Sequence, residues 1–380
     1  MKHVAVALFH PPSGSSEQER LVDAGRRAAL RDLISTLREV GLHPTVLVPT
    51  LSQAGDLLGL QDAEILEVAE QTPFHFGRTL KSFIREREAD GLLYFGSGSG
   101  FLLGCNRLDE LRRFAERDEP GAVLNNFYSC DFAAVSQAKS LLTVELPEID
   151  NPLGFALADA GVLCSALARS AETQFDLDTP TDLLILRASG RGGAAVRSFL
   201  DRLDFIHPFL DRLLALLADR TAHICLVGRV NPKTWSDIEP QVACRTSGLI
   251  EGRGMRARTN TGRPILNQIL HQDGAESFFA RLAHACNGAV IDTRPLLAEA
   301  GNLPPAPDRF ASDLFWAEKV VHPLWRTFTE AALGSQIPVL LGGHSAVSSG
   351  LYLLAEACWK GRDLDRRLHP KPFGSDKERP

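Results

Sequence analysis

The sequence predicts an α/β protein built from two domains, and three observations lead there. Apolar strand-like runs alternate with helix-like segments from residue 3 to residue 359. Glycine and serine gather where two of those runs end, at Gly96-Ser97-Gly98-Ser99-Gly100 and at Gly342-Gly343-His344-Ser345. The chain has 380 residues, more than one ordinary core holds. The expected architecture is a mostly parallel sheet with helices on both faces, followed by a second α/β domain.

The first domain is expected over residues 1–190. Residues 3–9 read as a buried strand, and the loop Pro11-Pro12-Ser13-Gly14-Ser15-Ser16 follows. A helix is expected over 17–40, where Leu21, Ala24, Ala28, Leu33, Leu37 and Val40 make an apolar stripe. Gly41 ends it. With a strand at 45–48 this makes a βαβ unit. Residues 76–88 read as a helix whose Arg78, Lys81, Arg85 and Arg87 form a solvated face.

A strand at 91–95 runs into the glycine-serine loop. Glycines there permit close backbone approach to a ligand, and exposed amides can cradle a phosphate. Gly96, Ser97, Gly98 and Ser99 are therefore candidate ligand contacts; a tight turn is the plainer reading. After a helix at 108–116, a strand at 122–124 leads into Asn125-Asn126-Phe127-Tyr128-Ser129-Cys130-Asp131. Asn125 and Asn126 suit either substrate contact or turn chemistry. Cys130 has no histidine near it in sequence and reads as a buried thiol. A helix-like, alanine-rich segment covers 155–171.

The boundary is expected in the basic, glycine-rich stretch Arg187-Ala188-Ser189-Gly190-Arg191-Gly192-Gly193. The second domain then covers 191–370, with a polar tail at 371–380. It opens with a long helical region at 194–219, broken before Pro208. Strands are expected at 222–227, 288–291 and 337–341, and helices at 308–332 and 346–359. The first of these strands ends in Gly228-Arg229. A cationic loop is expected at 244–258, where Arg253 and Arg256 could clamp a phosphate. At the end of the last strand, Gly343, His344 and Ser345 precede a helix. The free amides of a first turn favour an anion, so this loop is expected to receive a phosphate or carboxylate of a second substrate.

Composition excludes several classes. A net charge of −6 leaves no global basic footprint for nucleic acid. No apolar run is long enough to span a membrane, and residues 1–9 read as a strand, not a signal peptide. The seven cysteines are dispersed, with no Cys-x-x-Cys spacing, which speaks against a disulfide framework or a thiolate metal site. A reducing cytoplasm is the simplest location. Nothing in the sequence fixes the oligomeric state, and a homodimer is allowed.

One stretch organises the rest: Phe175-Asp176-Leu177-Asp178-Thr179-Pro180-Thr181-Asp182-Leu183. Residues i and i+2 of an extended backbone point to one face, so Asp176 and Asp178 project together. Paired carboxylates suit a hard divalent cation such as Mg²⁺ or Mn²⁺, or a polyphosphate carried by one. Thr179 is a plausible N-cap, with Pro180 at the first helical position and Asp182 three residues after the cap. On residues alone, a metal site and a well-capped junction weigh about equally.

The string Asp-x-Asp-Thr-Pro-x-Asp-Leu resembles the late motif of the MobA-like nucleotidyltransferases, and most closely that of the phospholactate guanylyltransferase type. The resemblance covers about half the chain, residues 1–190. It implies a GT-A-like fold in which Asp176 and Asp178 hold the metal and carry catalysis, with Asp131 as a candidate third carboxylate. It also implies a nucleotide and a small phosphorylated metabolite as ligands, with transfer of a nucleoside monophosphate. Asn125 and Asn126 match a substrate-contacting Thr-Asn segment loosely. Two departures stand out. The first loop lacks lysine, with Arg20, Arg26 and Arg27 coming only inside the helix, and glycine and serine replace the aspartate expected after the 91–95 strand. Two other readings follow: a GT-A glycosyltransferase using a sugar nucleotide, and a degenerate, non-catalytic nucleotide- or metabolite-binding protein.

Overall fold

The computed structural model describes residues 2–361 except 13, 52–54, 56, 58, 59, 61, 69–73, 253–263 and 299–302. Its contacts divide the chain into two compact units. Unit 1 comprises residues 1–177 and 191–203; unit 2 comprises 178–190 and 204–380.

Unit 1 is a seven-stranded sheet flanked by helices. Its elements run β1 (Val4–Phe9), α1 (Glu17–Glu39), β2 (Pro44–Val48), β3 (Glu64–Glu67), α2 (Phe76–Glu86), β4 (Gly91–Gly96), α3 (Cys105–Ala115), β5 (Gly121–Leu124), β6 (Phe132–Ser136), α4 (Leu153–Asp159), β7 (Cys164–Ala166) and α5 (Ala171–Gln174). The strand order is β3-β2-β1-β4-β6-β5-β7. All neighbours pair in parallel except those of β6, which is antiparallel to both β4 and β5. The chain steps outward from β1 through β2 to β3, then returns to the other side of β1 at β4. That reversal puts a topological switch point between the C-terminal ends of β1 and β4, where open α/β sheets place ligands. Because β6 runs the other way, its first residues stand at the same edge.

Local chemistry explains these elements. Ser16 and Glu19 form a reciprocal capping box that starts α1, and Gly41 at φ +78° ends it. Ala5, Ala7, Leu92 and Tyr94 of the central strands face Leu80, Phe83 and Ile84 of α2 in one core.

After α5, the chain builds α6 (Pro180–Ser189) in unit 2 and then α7 (Ala194–Asp201) in unit 1. The expected single crossing near residue 190 is thus an exchange. The chain crosses after Leu177, returns after Gly190 and crosses again after Leu203. The buried Asp32 of α1 explains why α7 belongs to unit 1. Its two oxygens accept from the amides of Ala195 and Val196, at 2.9 and 3.0 Å, and satisfy donors that α7 leaves open.

Unit 2 continues with α8 (Leu210–Leu217), β8 (His223–Gly228), α9 (Pro232–Ile238), β9 (Arg245–Ile250), α10 (Ile265–Asp273), α11 (Ala275–Ala285), β10 (Gly288–Asp292), α12 (Thr293–Leu297), α13 (Ala306–Asp313), α14 (Pro323–Leu333), β11 (Val339–Gly342) and α15 (Ser349–Ala357). Its four strands are all parallel, in the order β11-β10-β8-β9. A second switch point therefore falls between β8 and β10. Cys225, Val227, Ala289, Ile291, Phe279, Trp325 and Phe328 belong to its core.

Several expected boundaries change. The 155–171 helix is α4 followed by the edge strand β7, because Gly161 at φ +78° breaks it. The 194–219 helix is α7 and α8, in different units. Residues 245–250 of the expected cationic loop are strand β9, and the 308–332 helix is α13 and α14. Among the described residues, no helix is long and apolar enough to cross a membrane.

Substituting Asp32 with alanine removes both acceptors from the start of α7. We expect a loss of about 1–2 kcal/mol of stability, the usual worth of such a cap, and faster proteolysis between residues 187 and 197. Unchanged thermal stability and an unchanged digestion pattern would contradict this role.

Candidate functional site

At the C-terminal edge of the seven-stranded sheet, unit 1 gathers most of the residues the sequence singled out. Strand β4 ends at Gly96, whose amide donates to the Asp131 carbonyl at 2.9 Å. The Ser99 hydroxyl donates to the carbonyls of Gly96 and Asp131, both at 3.1 Å. Ser97 and Ser99 are buried. Among the described residues, no protein acceptor pairs with the amides of Ser97 or Gly98. A buried loop with open donors is suited to an anion.

Asp176 joins this loop through the backbone. Ser99 and Asp176 form an isolated antiparallel bridge, and the Leu177 amide donates to the Gly98 carbonyl at 3.0 Å. A Cβ on residue 98 would stand 2.4 Å from Asp176 Oδ1 and 2.9 Å from the Leu177 amide. Only glycine leaves room for the carboxylate where it sits. Asp176 is half-buried, Leu177 buried and Asp178 exposed, the alternation of an extended segment.

The loop between β5 and β6 is fixed by the buried Asn125. Its Oδ1 accepts from the amides of Asp131 and Phe132, at 2.8 and 3.2 Å. Its Nδ2 donates to Asp131 Oδ2 at 2.9 Å. Gln174 in turn donates to the Asn125 carbonyl at 2.6 Å. The Asn126 side chain accepts from the Tyr128 amide at 3.2 Å. Both asparagines thus do turn work, and Asn125 also orients Asp131. Cys130 is fully buried, which pushes its thiol well above the usual range and leaves it no nucleophilic role.

Two acidic residues of unit 1 contact the same loop, Asp131 through its carbonyl and Asp176 through the Ser99 bridge and the carboxylate that abuts Gly98. Among the described residues, no three His, Cys, Asp or Glu side chains gather as a metal centre. Mg²⁺ commonly takes one or two carboxylates and completes its shell with water and substrate phosphates. Asp131 and Asp176 are the residues of unit 1 whose carboxylates could serve as such ligands.

The second half of the motif belongs to unit 2 and has a structural task. Asp182 is fully buried, and its Oδ2 accepts from the Asp178 and Thr179 amides, at 3.0 and 2.7 Å, and from the Thr179 hydroxyl at 3.0 Å. This is the capping chemistry expected of Thr179-Pro180-Thr181-Asp182. Thr181 donates to the Leu341 carbonyl at 2.6 Å, tying α6 to β11. Burial, and next the Asp178 carboxylate, push the Asp182 carboxyl up to about 7.

The loop at Gly343, His344 and Ser345 is also in unit 2, and it does not form the expected cradle. Ser345, Ala346 and Val347 are buried, and the Ala346 amide donates to the Gly343 carbonyl at 3.2 Å. A Cβ on Gly343 would meet the Thr179 methyl at 3.0 Å. A short 3-10 turn, Ser345–Val347, precedes α15, so the helix does not start at the glycines. Arg253 and Arg256 lie outside the described residues.

Sequence reasoning missed two partners. Arg26 Nε on α1 donates to the Leu177 carbonyl at 2.6 Å, across 151 positions. Past the end of β1, His10 Nε2 stands 3.3 Å from Asp23 Oδ1 of α1, and Arg27 pairs with the same carboxylate. The helical spacing of Asp23 and Arg27 is a signal in the sequence; the reach of Arg26 is not.

The Asp182 carboxyl titrates near 3.9 in an unfolded chain and near 7 in the folded one. Between those values the folded chain holds the extra proton. Stability therefore falls as pH rises from about 4 to about 7 and is level above. Asp182→Asn should flatten that part of the melting-temperature profile; a slope identical to the parent's would contradict the assignment.

No family model matches the chain, and no curated protein matches it. Among solved structures it is similar to a Desulfovibrio desulfuricans protein described as a nucleotide-diphospho-sugar transferase. The two share 12% identity over 54% of this chain and 96% of that one, with a TM-score of 0.41. A cytidylyltransferase from Leptospira borgpetersenii aligns at 10% identity over 53% and 92% of the two chains, with a TM-score of 0.38. A nucleotidyl transferase from Methanothermobacter aligns at 16% over 52% and 98%, with a TM-score of 0.37. The functional reading rests instead on the chain's own residues.

Proposed function

We propose that unit 1 is a nucleotidyltransferase-type enzyme that moves a nucleoside monophosphate from a nucleoside triphosphate to a phosphorylated acceptor. The observation that carries this reading is the seating of Asp176 against Gly98, beside the open amides of Ser97 and Gly98 and the Asn125-held Asp131. Anion donors and carboxylates border one strand-end loop at a switch point, as a metal-carried polyphosphate requires.

The amides of Ser97 and Gly98 bind phosphate oxygens. Asp176 and Asp131 would hold Mg²⁺, which would supply charge neutralisation on the phosphates. An oxygen of the acceptor phosphate attacks the α-phosphorus. The bond from that phosphorus to the pyrophosphate breaks, and pyrophosphate leaves. The protein positions the two phosphates, and Asn125 keeps Asp131 aimed.

One observation favours a second reading, binding without turnover. Three of the five arginines of α1 are committed within unit 1: Arg20 to the Ser15 carbonyl, Arg26 to the Leu177 carbonyl and Arg27 to Asp23. Those three are thereby less available to neutralise a leaving pyrophosphate.

Pyrophosphate release from nucleoside triphosphates, with Mg²⁺ and a panel of phosphorylated acceptors, separates the two. The transferase reading expects release that depends on acceptor and metal and that Asp176→Asn lowers at least 100-fold with the fold intact. Saturable nucleotide binding with no release supports the second reading. Parent-like nucleotide binding by both Asp176→Asn and Gly98→Val, the latter bulky where a Cβ has no room, would remove the site from both.

A further inference from the structure

Unit 2 has its own switch point, and an unusual set of charges stands at it. Asp292 ends β10 with no exposed surface, and Arg229 follows β8. Arg229 Nε and Nη2 donate to the two oxygens of Asp292, at 2.5 and 3.0 Å, and its amide adds a third bond at 3.3 Å. Gly228 at φ +112° brings the strands this close; a Cβ there would stand 2.6 Å from Asp292 Cβ. Next to this pair, Arg294 holds Asp313 through two hydrogen bonds, at 2.6 and 2.7 Å, with both groups buried. Asp182, buried in the same unit, adds to the field on Arg294.

Tying β8 to β10 does not require this. The backbone ladder already joins them over four residue pairs. A buried ion pair is commonly no better than apolar packing of the same volume, because desolvation offsets the attraction. Asp182 and Asp292 also cap α6 and α12, and with Arg294 and Asp313 they put four buried ionisable groups in unit 2, more charge than those caps require. Such clusters at the mouth of an α/β sheet mark functional sites more often than chance.

Two side chains of the cluster reach solvent. Arg229 is 18% exposed, and its Nη1 has no partner among the described residues. His344, two residues past the end of β11, is half-buried and near enough to Asp292 for a proton on its ring to favour the carboxylate. We propose that this crevice between β8 and β10 is a second ligand site, where Arg229 Nη1 and His344 take an oxyanion of a small metabolite. Asp292 pins the inner edge of the guanidinium and leaves the outer edge presented. The site belongs to unit 2 alone and is independent of the nucleotidyl-transfer reading.

Titration calorimetry of the full chain with inorganic phosphate, and separately with malonate, in chloride-matched buffer tests this. Phosphate binding points to a phosphorylated ligand and malonate binding to a carboxylate. In either case Arg229→Lys, which keeps the charge on Asp292 but loses the fork, should weaken binding at least 10-fold. His344→Gln, which leaves the Arg229–Asp292 and Arg294–Asp313 pairs in place, should weaken it about 3-fold or more and gives a second test should the first variant not fold. Nucleotide binding by both variants should match the parent's. If neither anion binds, or if both variants bind as the parent does, the site is not there.

Discussion

The contact on which unit 1's site depends is one that a side chain would forbid. Gly98 has no Cβ, so the Asp176 carboxylate and the Leu177 amide can press against the loop that ends β4. The antiparallel bridge from Ser99 to Asp176 then holds two segments 77 positions apart in register. From that bridge outward the site is a chain of hydrogen bonds, most of them ending on a backbone carbonyl or amide. Gly96 and Ser99 reach the Asp131 carbonyl, Asn125 clamps Asp131, and Gln174 clamps Asn125. Each link uses a group that burial would otherwise leave unsatisfied. The carboxylates are therefore positioned before any ligand arrives, which is the condition for electrostatic work at low reorganisation cost.

The Asp-x-Asp-Thr-Pro-x-Asp string divides its labour at Leu177. Its first aspartate is seated in unit 1, while Thr179 and Asp182 start α6 in unit 2. Sequence reading weighed a metal motif against a capped junction, and Thr179 and Asp182 form the capped junction. Asp182 shows the cost of the second. Its carboxyl takes three hydrogen bonds from the helix start, yet burial still raises its titration to about 7. The good capping geometry offsets only part of the desolvation.

The alternation of strands and helices was legible because central parallel strands are buried on both faces and read as apolar runs, as in Val4–Phe9 and Gly91–Gly96. Edge and antiparallel strands were not. Glu64–Glu67 is polar at both ends and partly exposed, Cys164–Ala166 is three residues long, and Phe132–Ser136 carries two alanines. The exchange of α6 and α7 between units was hidden because it depends on Asp32 meeting amides more than 160 positions away. Residue types at the unit 1 site were visible in the glycine-serine loop, the asparagine pair and the aspartates. Their contacts were not, since they run through main-chain atoms that every residue carries. The turn at Gly343 was unreadable for the same reason: that the Ala346 amide is taken by the Gly343 carbonyl is a property of the fold.

The most direct measurement of the central claim is a crystal structure of the full chain with Mg²⁺ and a non-hydrolysable nucleoside triphosphate. The account places phosphate oxygens within hydrogen-bond distance of the Ser97 and Gly98 amides, and the ion on Asp176 with Asp131. Clear nucleotide density elsewhere, with the Gly96–Gly100 loop unvisited and Asp176 distant from the ion, would contradict it.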